Sequence, residues 1–240
     1  MKALILAAGR GSRMKELTSN KPKCLLKIKN ISLIERQINN FKKQGINDIG
    51  IVTGYKRDLL EHFNLKEFHN NKWDKTNMVY SLTKASKWLE SDTCIVSYGD
   101  IFYELSAIKS LLEDKSNLAI TYDVNWFSLW SKRFKEPLSD AETFKLDERN
   151  NLLKIGEKTD SLNEIQGQYM GIIKIKPFGW TKILKIINSI DEDKFMKIDF
   201  TSLLNLLICK DEISIKCIAY KDKWGEVDHP SDFKIYEKDL

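Results

Sequence analysis

The stretch that decides the fold is Ala3-Leu4-Ile5-Leu6-Ala7-Ala8-Gly9-Arg10-Gly11-Ser12-Arg13, followed after eight intervening residues by Pro22-Lys23. Its first six residues are apolar and predict a buried strand, and the glycines predict a tight turn where that strand ends. Because glycine has no Cβ, a polyanion can approach the backbone N–H groups of such a turn closely. Arg13 and Lys23 add positive charge beside the turn. The stretch therefore predicts a site for a phosphate-rich ligand at the start of the fold.

Two glycines after a strand are also a common strand-to-helix turn, so the loop alone does not define a ligand. A dinucleotide-binding G-x-G-x-x-G loop would need a third glycine at Met14 and an acidic residue at the end of the second strand, and both are missing. A Walker A loop, G-x-x-x-x-G-K-S/T, occurs nowhere in the chain. What remains is the pattern L-x-x-G-x-G-x-R, eight residues, and then P-K.

Length and composition predict one domain that spans residues 1–240. The chain has 240 residues, of which 42% are hydrophobic, and no Pro-, Gly- or Ser-rich linker interrupts it. Lysine and arginine exceed aspartate and glutamate by 39 to 34, but the two signs are intermixed. Such mixing is typical of a solvated surface, so we expect no nucleic-acid binding.

No apolar run reaches the length of a membrane span. The chain starts directly before the first predicted strand, which leaves no room for a signal peptide. The four cysteines have no C-x-x-C spacing and are expected to be reduced thiols. We therefore expect a cytoplasmic protein that binds small molecules and no membrane.

Apolar periodicity alternates between strand and helix along most of the chain. Strands are predicted at residues 48–53, 65–69, 93–98, 118–124, 142–147, 152–155, 168–175 and 213–219. Helices are predicted at residues 31–44, 57–63, 79–89, 177–189 and 200–209. This alternation predicts an α/β fold, Rossmann-like, with a mixed, mostly parallel central sheet flanked by helices. Ligands of such sheets bind at the carboxyl ends of the strands.

The loop pattern resembles the signature of nucleotidyltransferases that join an NTP to a phosphorylated small molecule. The match falls on Leu6, Gly9, Gly11, Arg13, Pro22 and Lys23. The resemblance implies that Arg13 and Lys23 are the catalytic cations at the triphosphate and that Leu6, Ala8, Gly9 and Gly11 contact the nucleotide. It also implies that residues 1–115 mainly bind nucleotide and that residues 116–240 mainly bind the acceptor.

Two carboxylates follow apolar strand-like runs, Asp100 after residues 94–99 and Asp228 after residues 224–227. An aspartate at the end of a strand is often only a turn residue or a helix N-cap. A triphosphate site, however, needs Mg²⁺, which takes one or two carboxylates together with phosphate oxygens. In the family that these motifs resemble, a Gly-Asp at a strand end and a later acidic residue hold the metal. The resemblance implies that Asp100 and Asp228 bind Mg²⁺, with Glu226 as the alternative to Asp228.

The stretch from Asn77 to Ser81 has the pattern Asn-x-x-x-Ser. As structure alone, Asn77 can equally be the cap of the helix that follows it. The pattern resembles bacterial cytidylyltransferases that act on phosphocholine. This resemblance implies CTP as the donor, with Asn77 and the backbone near Ala8 reading the cytosine edge.

The acceptor side is the least determined part of the sequence. Glu157-Lys158 and Gln168-Tyr169-Met170-Gly171 resemble family motifs on the acceptor side. This resemblance implies that Lys158 contacts the acceptor phosphate. Trp126 belongs to an aromatic cluster that can cage a choline ammonium, although aromatics at this spacing are more often packed in a core. L-glutamine phosphate would instead need a cation for its carboxylate, and Arg133 is a nearby candidate. We expect transfer of CMP from CTP to L-glutamine phosphate, with phosphocholine or a sugar 1-phosphate as alternative acceptors.

The residues by themselves support only an NTP and a phosphorylated acceptor. Because an acceptor phosphate is already anionic at neutral pH, its attack needs alignment and charge stabilisation but no protein base. A catalytically silent nucleotide-binding domain is the alternative from another class of protein. Pyrophosphate release from CTP and an acceptor would separate the two.

Overall fold

The protein is described here as a computed structural model covering residues 1–239, with side chains through residue 237. Its strands, in chain order, are β1 (Lys2–Ala7), β2 (Lys27–Ile28), β3 (Ile31–Ser32), β4 (Ile49–Thr53), β5 (Lys66–His69), β6 (Cys94–Tyr98), β7 (Ile101–Tyr103), β8 (Leu118–Asp123), β9 (Glu142–Leu146), β10 (Leu152–Lys158), β11 (Gln168–Ile175), β12 (Lys216–Tyr220) and β13 (Trp224–Glu226). Its α-helices are α1 (Leu33–Lys43), α2 (Met78–Thr83), α3 (Ser86–Ser91), α4 (Ser106–Glu113), α5 (Trp126–Arg133), α6 (Pro177–Ile187), α7 (Glu192–Lys197), α8 (Phe200–Cys209) and α9 (Pro230–Asp239). Short 3₁₀ helices span Ser12–Thr18, Lys23–Leu25, Arg57–Phe63, Pro137–Ser139 and Leu162–Glu164.

The centre of the fold is a seven-stranded sheet in the order β12-β8-β11-β6-β1-β4-β5. β1 pairs in parallel with β4 on one side and with β6 on the other, and β8 pairs in parallel with β12. Only β11 runs against its neighbours β6 and β8. The predicted α/β fold with a mixed, mostly parallel sheet is therefore confirmed.

Helices cover both faces of this sheet. Successive residues of β1 alternate between the faces, so Leu4 belongs to one apolar cluster and Ile5 to the other. The first cluster takes residues from α2, α3, α6 and α8, and the second takes residues from α1, α4 and α5. Burial on both sides explains why the central strands are continuous apolar runs in the sequence.

Two predicted helices have different boundaries in the structure. The first begins at Leu33 because Ser32 is its N-cap, in a capping box with Glu35. The helix predicted at residues 79–89 is divided into α2 and α3. At the division, the Thr83 hydroxyl donates to the Tyr80 carbonyl and the Ser86 hydroxyl to the Thr83 carbonyl. Such hydroxyl bonds compete with regular helical hydrogen bonding.

Two small antiparallel pairs beside the main sheet position polar side chains. β7 pairs with β13, which sets Glu226 opposite Ile101, directly after Asp100. β9 pairs with β10, which sets Glu142 opposite Lys158. Both pairs join residues that are distant in sequence, and both lie next to the pockets described below. Across residues 1–239, no helix is both long enough and apolar enough to cross a membrane.

Candidate active site

The glycine loop lies after β1, at the carboxyl edge of the sheet, and borders a cavity of about 300 Å³. Gly11 is left-handed, with φ of 72°, and a Cβ there would lie 2.8 Å from Cδ of Lys23. A side chain at Gly11 would therefore be strained and would displace Lys23. A Cβ placed on Gly9 would have no atom of the described residues within 4 Å of it. The cavity is lined by every predicted nucleotide-side residue: Leu6, Ala8, Gly9, Gly11, Arg13, Lys23 and Asn77.

Asp100 lines this cavity, and two further carboxylates converge on it. Asp100 follows β6, and the pairing of β7 with β13 brings Glu226 and Asp228 beside it. Val227 strengthens the approach, because its N–H donates to the Asp100 carbonyl at 3.0 Å. One oxygen from each of the three carboxylates lies within 4.8 Å of the other two. We call Asp100, Glu226 and Asp228 the carboxylate triad. The structure thus brings both sequence candidates for the second metal ligand to one place.

Two cations from the glycine-loop region contact the triad. Nζ of Lys23 lies 2.8 Å from Oδ2 of Asp100 and 2.5 Å from Oδ1 of Asp228. A guanidinium nitrogen of Arg13 lies 2.8 Å from the same Oδ1 of Asp228. The Lys23 side chain is 10% exposed, whereas that of Arg13 is 59% exposed. The lysine is therefore enclosed between the carboxylates, and the arginine reaches them from solvent.

The pKa values of these groups follow from burial and from their neighbours. Burial opposes the charge of Lys23, but the Asp100 and Asp228 carboxylates outweigh it and raise the Lys23 pKa above its usual value. Burial likewise opposes ionisation of Asp228, yet Lys23 holds its pKa below the ordinary range. Burial, reinforced by the Asp228 and Asp100 charges, raises the pKa of Glu226 to about 8. Glu226 therefore holds its proton more readily than Asp228, which Lys23 keeps ionised.

The donor set of the triad suits a small hard cation. Carboxylate oxygens are the ligands that Mg²⁺ takes in proteins, usually in company with phosphate oxygens and water. Oδ1 of Asp100 is buried and has no hydrogen-bond partner among the described residues. A buried acceptor without a partner is costly, so a ligand at this oxygen would remove a penalty. The residues present thus fit the predicted metal.

Arg133 and Trp126 do not lie where the acceptor was predicted to bind. The Arg133 side chain is fully buried, with Nε 3.4 Å from Asp232 and its other nitrogens 3.7 Å from Glu226 and 3.8 Å from Asp228. Trp126 is 5% exposed and packs in the apolar cluster beneath α5. A guanidinium that solvent does not reach cannot meet a dissolved carboxylate. The predicted acceptor contacts of Arg133 and Trp126 are therefore corrected. Arg133 forms ion pairs with the triad on the side away from solvent, and Trp126 belongs to the core.

A second pocket of about 260 Å³ adjoins the first. The two share Met78 and Tyr98, so these side chains form the wall between them. Glu226 of the triad lines the second pocket, and so does Lys158, the predicted acceptor contact. Acids and aromatic rings make up most of the remaining lining, namely Asp140, Glu142, Asp199, Trp130, Phe144, Tyr169 and Phe200, together with Thr143, Ile155, Gln168 and Thr201.

The second pocket is acidic apart from Lys158. Burial and the nearby Asp199 charge raise the pKa of Glu142, with Lys158 opposing them. Asp199 also caps α8, since its Oδ1 accepts from the Ser202 N–H at 2.8 Å. Tyr169 packs against Tyr98, with ring centroids 5.8 Å apart and the rings nearly perpendicular. This wall therefore offers mainly negative charge to a ligand.

Asn77 lines the first pocket, and its polar groups are held by hydrogen bonds rather than projecting freely into it. Its Oδ1 accepts from the Met78 N–H at 2.7 Å and caps α2, which is the structural role that the sequence left open. Its Nδ2 donates to the Lys197 carbonyl at 3.0 Å, and its N–H donates to the Met196 carbonyl at 2.7 Å. Asn77 thereby ties the start of α2 to the end of α7, directly before the residues of α8 that border the second pocket.

Sequence reasoning missed the acids of the second pocket. Asp140 and Glu142 are two residues apart in an ordinary polar segment, and folding brings them beside Asp199, which is distant in sequence. One signal was available, because Gln168-Tyr169-Met170-Gly171 stands out as a motif and Tyr169 lines this pocket. Gly171 in that motif is left-handed, with φ of 81°, and a Cβ there would lie 2.7 Å from the Tyr98 ring.

The fold and these pockets define an enzyme that handles nucleoside triphosphates, and the comparisons give its family. Residues 3–151 match the MobA-like NTP transferase domain. The chain belongs to this family and is a nucleotidyltransferase.

Individual relatives support the same class. The chain is 36% identical to "CTP:phosphoglutamine cytidylyltransferase" of Campylobacter jejuni subsp. jejuni over 98% of both chains. It is 43% identical to a choline-phosphate cytidylyltransferase of Streptococcus pneumoniae over 34% of this chain and 38% of that protein. Among solved structures, the inositol-1-phosphate CTP transferase from T. maritima has the same fold, with a TM-score of 0.77 at 22% identity, covering 98% of this chain and 93% of that one.

Proposed function

We propose that this enzyme transfers CMP from CTP to L-glutamine phosphate, giving CDP-L-glutamine and pyrophosphate. The observation that carries the proposal is the 36% identity, over 98% of both chains, to a protein named for CTP and phosphoglutamine. Both pockets agree with it, since one has a phosphate loop and the adjoining one has room for a small acceptor. That the chain forms one domain, with nucleotide and acceptor halves, stays a prediction.

The proposed reaction needs few protein groups. An anionic oxygen of the acceptor phosphate attacks the α-phosphorus of CTP, and the bond to the bridging oxygen breaks, so that pyrophosphate leaves with the electron pair. Arg13 and Lys23 stand at the phosphate end of the first pocket, where they can neutralise the charge that develops on the pyrophosphate. Mg²⁺ held by Asp100 and Asp228, with Glu226 in reach, would supply further charge neutralisation at the nucleotide phosphates. Alignment of CTP and the acceptor on either side of Met78 and Tyr98 supplies the remaining rate acceleration.

The charge of the second pocket supports an acceptor that bears an ammonium group. Asp140, Glu142 and Asp199 give the wall negative charge, whereas a sugar 1-phosphate brings no positive group to pair with it. Lys158 is the cation of this wall and is proposed to contact an anionic group of the acceptor. L-glutamine phosphate matches both features, because it carries an α-ammonium group as well as anionic groups.

Phosphocholine is the second candidate, and the aromatic rings favour it. Of the rings that line this pocket, Tyr98 and Tyr169 are half-buried, and aromatic faces attract a quaternary ammonium group. A quaternary ammonium cannot donate hydrogen bonds, however, so the carboxylates would meet it by charge alone. Hydrogen bonding to the acids therefore separates the two acceptors chemically.

A matrix of nucleotides and acceptors tests the proposal. Purified enzyme with Mg²⁺ is supplied with CTP, UTP, GTP or dTTP and with L-glutamine phosphate, phosphocholine or glucose 1-phosphate, and pyrophosphate release is measured. We expect the highest kcat/KM for CTP with L-glutamine phosphate, at least about tenfold above any other pair, since a lost charged contact costs at least this much. Preferred turnover of phosphocholine would transfer the assignment to the second candidate, and preferred turnover of a sugar 1-phosphate would refute both.

A further inference from the structure

Lys23 occupies the space between the carboxylates that a metal ion would use. Its Nζ lies 2.8 Å from Asp100 and 2.5 Å from Asp228, and only 10% of its side chain is exposed. The aliphatic part of the side chain passes directly over Gly11, which leaves room for it by lacking a Cβ. The ammonium group is therefore held on the triad from the side of the nucleotide pocket.

The Lys23 ammonium and a divalent ion compete for the same two carboxylates. The ammonium contacts one oxygen of each, Oδ2 of Asp100 and Oδ1 of Asp228, whereas Oδ1 of Asp100 has no hydrogen-bond partner among the described residues. Because Mg²⁺ binds carboxylate oxygens at about 2.0–2.1 Å, an ion held by both side chains would lie close to the ammonium, and the two positive charges would repel each other. Tight metal binding therefore favours withdrawal of the Lys23 ammonium from Asp100 and Asp228. A buried ammonium without an anionic partner is strongly unfavourable, so the lysine needs another anion within reach. The phosphates of a nucleotide on the glycine loop are such an anion, since Lys23 lines that pocket as well.

We propose that Lys23 couples metal binding to nucleotide binding by exchanging the triad for the nucleotide phosphates. This inference rests on the proposed metal and triphosphate sites and adds an order to their occupation. Without nucleotide, Lys23 neutralises the triad and keeps divalent ions from binding tightly. With nucleotide, the ammonium moves to the phosphates and frees the oxygens of Asp100 and Asp228.

The other two cations at the triad do not have this property. Arg133 is fully buried behind Asp228 and is anchored on Asp232, so it cannot follow an arriving nucleotide. Arg13 contacts the same oxygen of Asp228 as Lys23, but its side chain is 59% exposed and its charge is screened by water. Arg13 is therefore the matched control. Its removal takes one positive charge from the same oxygen of Asp228, but it does not vacate the buried position between the carboxylates that Lys23 occupies.

The test measures binding of Mn²⁺ alone, followed by its electron paramagnetic resonance signal, with no turnover involved. Lys23→Met is expected to bind Mn²⁺ at least about tenfold more tightly than wild type in the absence of nucleotide, even though it removes a residue assigned to catalysis. Arg13→Met is expected to change the affinity less than about threefold. If folded Lys23→Met binds Mn²⁺ no more tightly than wild type, the proposal is overturned. It is also overturned if Lys23→Met and Arg13→Met gain the same Mn²⁺ affinity, because that result would show only a general charge effect.

A second measurement adds a non-hydrolysable CTP analogue. The analogue should raise Mn²⁺ affinity more in wild type than in Lys23→Met, because the variant has no ammonium to remove. If Lys23→Met does not fold, Lys23→Gln keeps polar contacts to the carboxylates and replaces it, with circular dichroism as the check. Tight Mn²⁺ binding to nucleotide-free wild type would refute the exchange while leaving the metal site intact. Absence of Mn²⁺ binding in every sample would overturn the metal site together with the exchange.

Discussion

Replacing Arg133 by methionine should destabilise the protein strongly, although Arg133 touches neither pocket. Its side chain is 0% exposed and lies within 3.8 Å of Asp232, Glu226 and Asp228. Breaking a buried ion pair by removing one partner costs about 3–5 kcal/mol, because the remaining charge is left uncompensated. Lys23 still neutralises Asp228 in the variant, so we expect the lower end, about 3 kcal/mol. In a domain of this size that corresponds to a fall in Tm of about 6–12 °C.

Thermal unfolding and urea titration at neutral pH measure this effect. Arg149→Met is the control, because Arg149 is exposed on the surface and its loss should change the free energy of unfolding by less than about 0.5 kcal/mol. Arg133→Lys should recover part of the loss, since it restores the charge but not the planar fork of donors. A loss below about 1 kcal/mol in Arg133→Met would show that the three carboxylates relax to other partners, and the reasoning from buried charge would fail.

Three further changes test other parts of the structure. Asp100→Asn should lower pyrophosphate release about a thousandfold at saturating Mg²⁺ with little change in Tm, and retention of a tenth of the activity would refute its metal role. Glu142→Gln should raise KM for L-glutamine phosphate about tenfold without changing KM for CTP. Glu157 lies on the same strand pair but is half-exposed, so Glu157→Gln should leave both KM values unchanged. Asp114 accepts from the buried Lys174 at 2.6 Å; burial opposes its ionisation, yet this bond and one from Ser116 hold its pKa below the usual value. The ion pair therefore contributes its full stability above the ordinary carboxyl pKa of about 4, and this contribution is lost as pH falls through the lower folded-state pKa. Urea unfolding should show Asp114→Asn about 3 kcal/mol less stable than wild type at pH about 7, with a difference that shrinks as pH falls below about 4.

The parts of the site that are local in sequence could be predicted from sequence. The glycine loop and Lys23 belong to one continuous motif, and Asp100 comes just after an apolar strand, so their meeting place follows from sheet topology, while their roles stay predictions. Asp228 and Glu226 were both candidates for the metal because each stands near a strand end. The pairing of β13 with β7, which brings both to Asp100, is a long-range contact that no local pattern encodes.

The acceptor side could not be predicted in the same way. Arg133 follows a run of aromatic residues, and nothing in that run shows that the helix buries its last residue against Asp232. Glu142 and Asp199 are 57 residues apart in number and meet because a hairpin outside the main sheet packs beside the start of α8. Local periodicity gives the elements of this region, but their relative placement depends on tertiary packing.

The wall formed by Met78 and Tyr98 separates two sets of residues that come from different parts of the chain. The first pocket is lined entirely by residues up to Asp100, whereas apart from that wall the second is lined by residues from Trp130 onwards. In the proposed assignment of donor and acceptor to these pockets, substitutions in the second pocket other than at Glu226 or in that wall leave the first pocket and the carboxylate triad unchanged. An ancestral enzyme with this architecture could acquire a new acceptor by a few substitutions on one hairpin and one helix start. Directed evolution confined to those surfaces should accordingly change acceptor preference while KM for CTP stays constant.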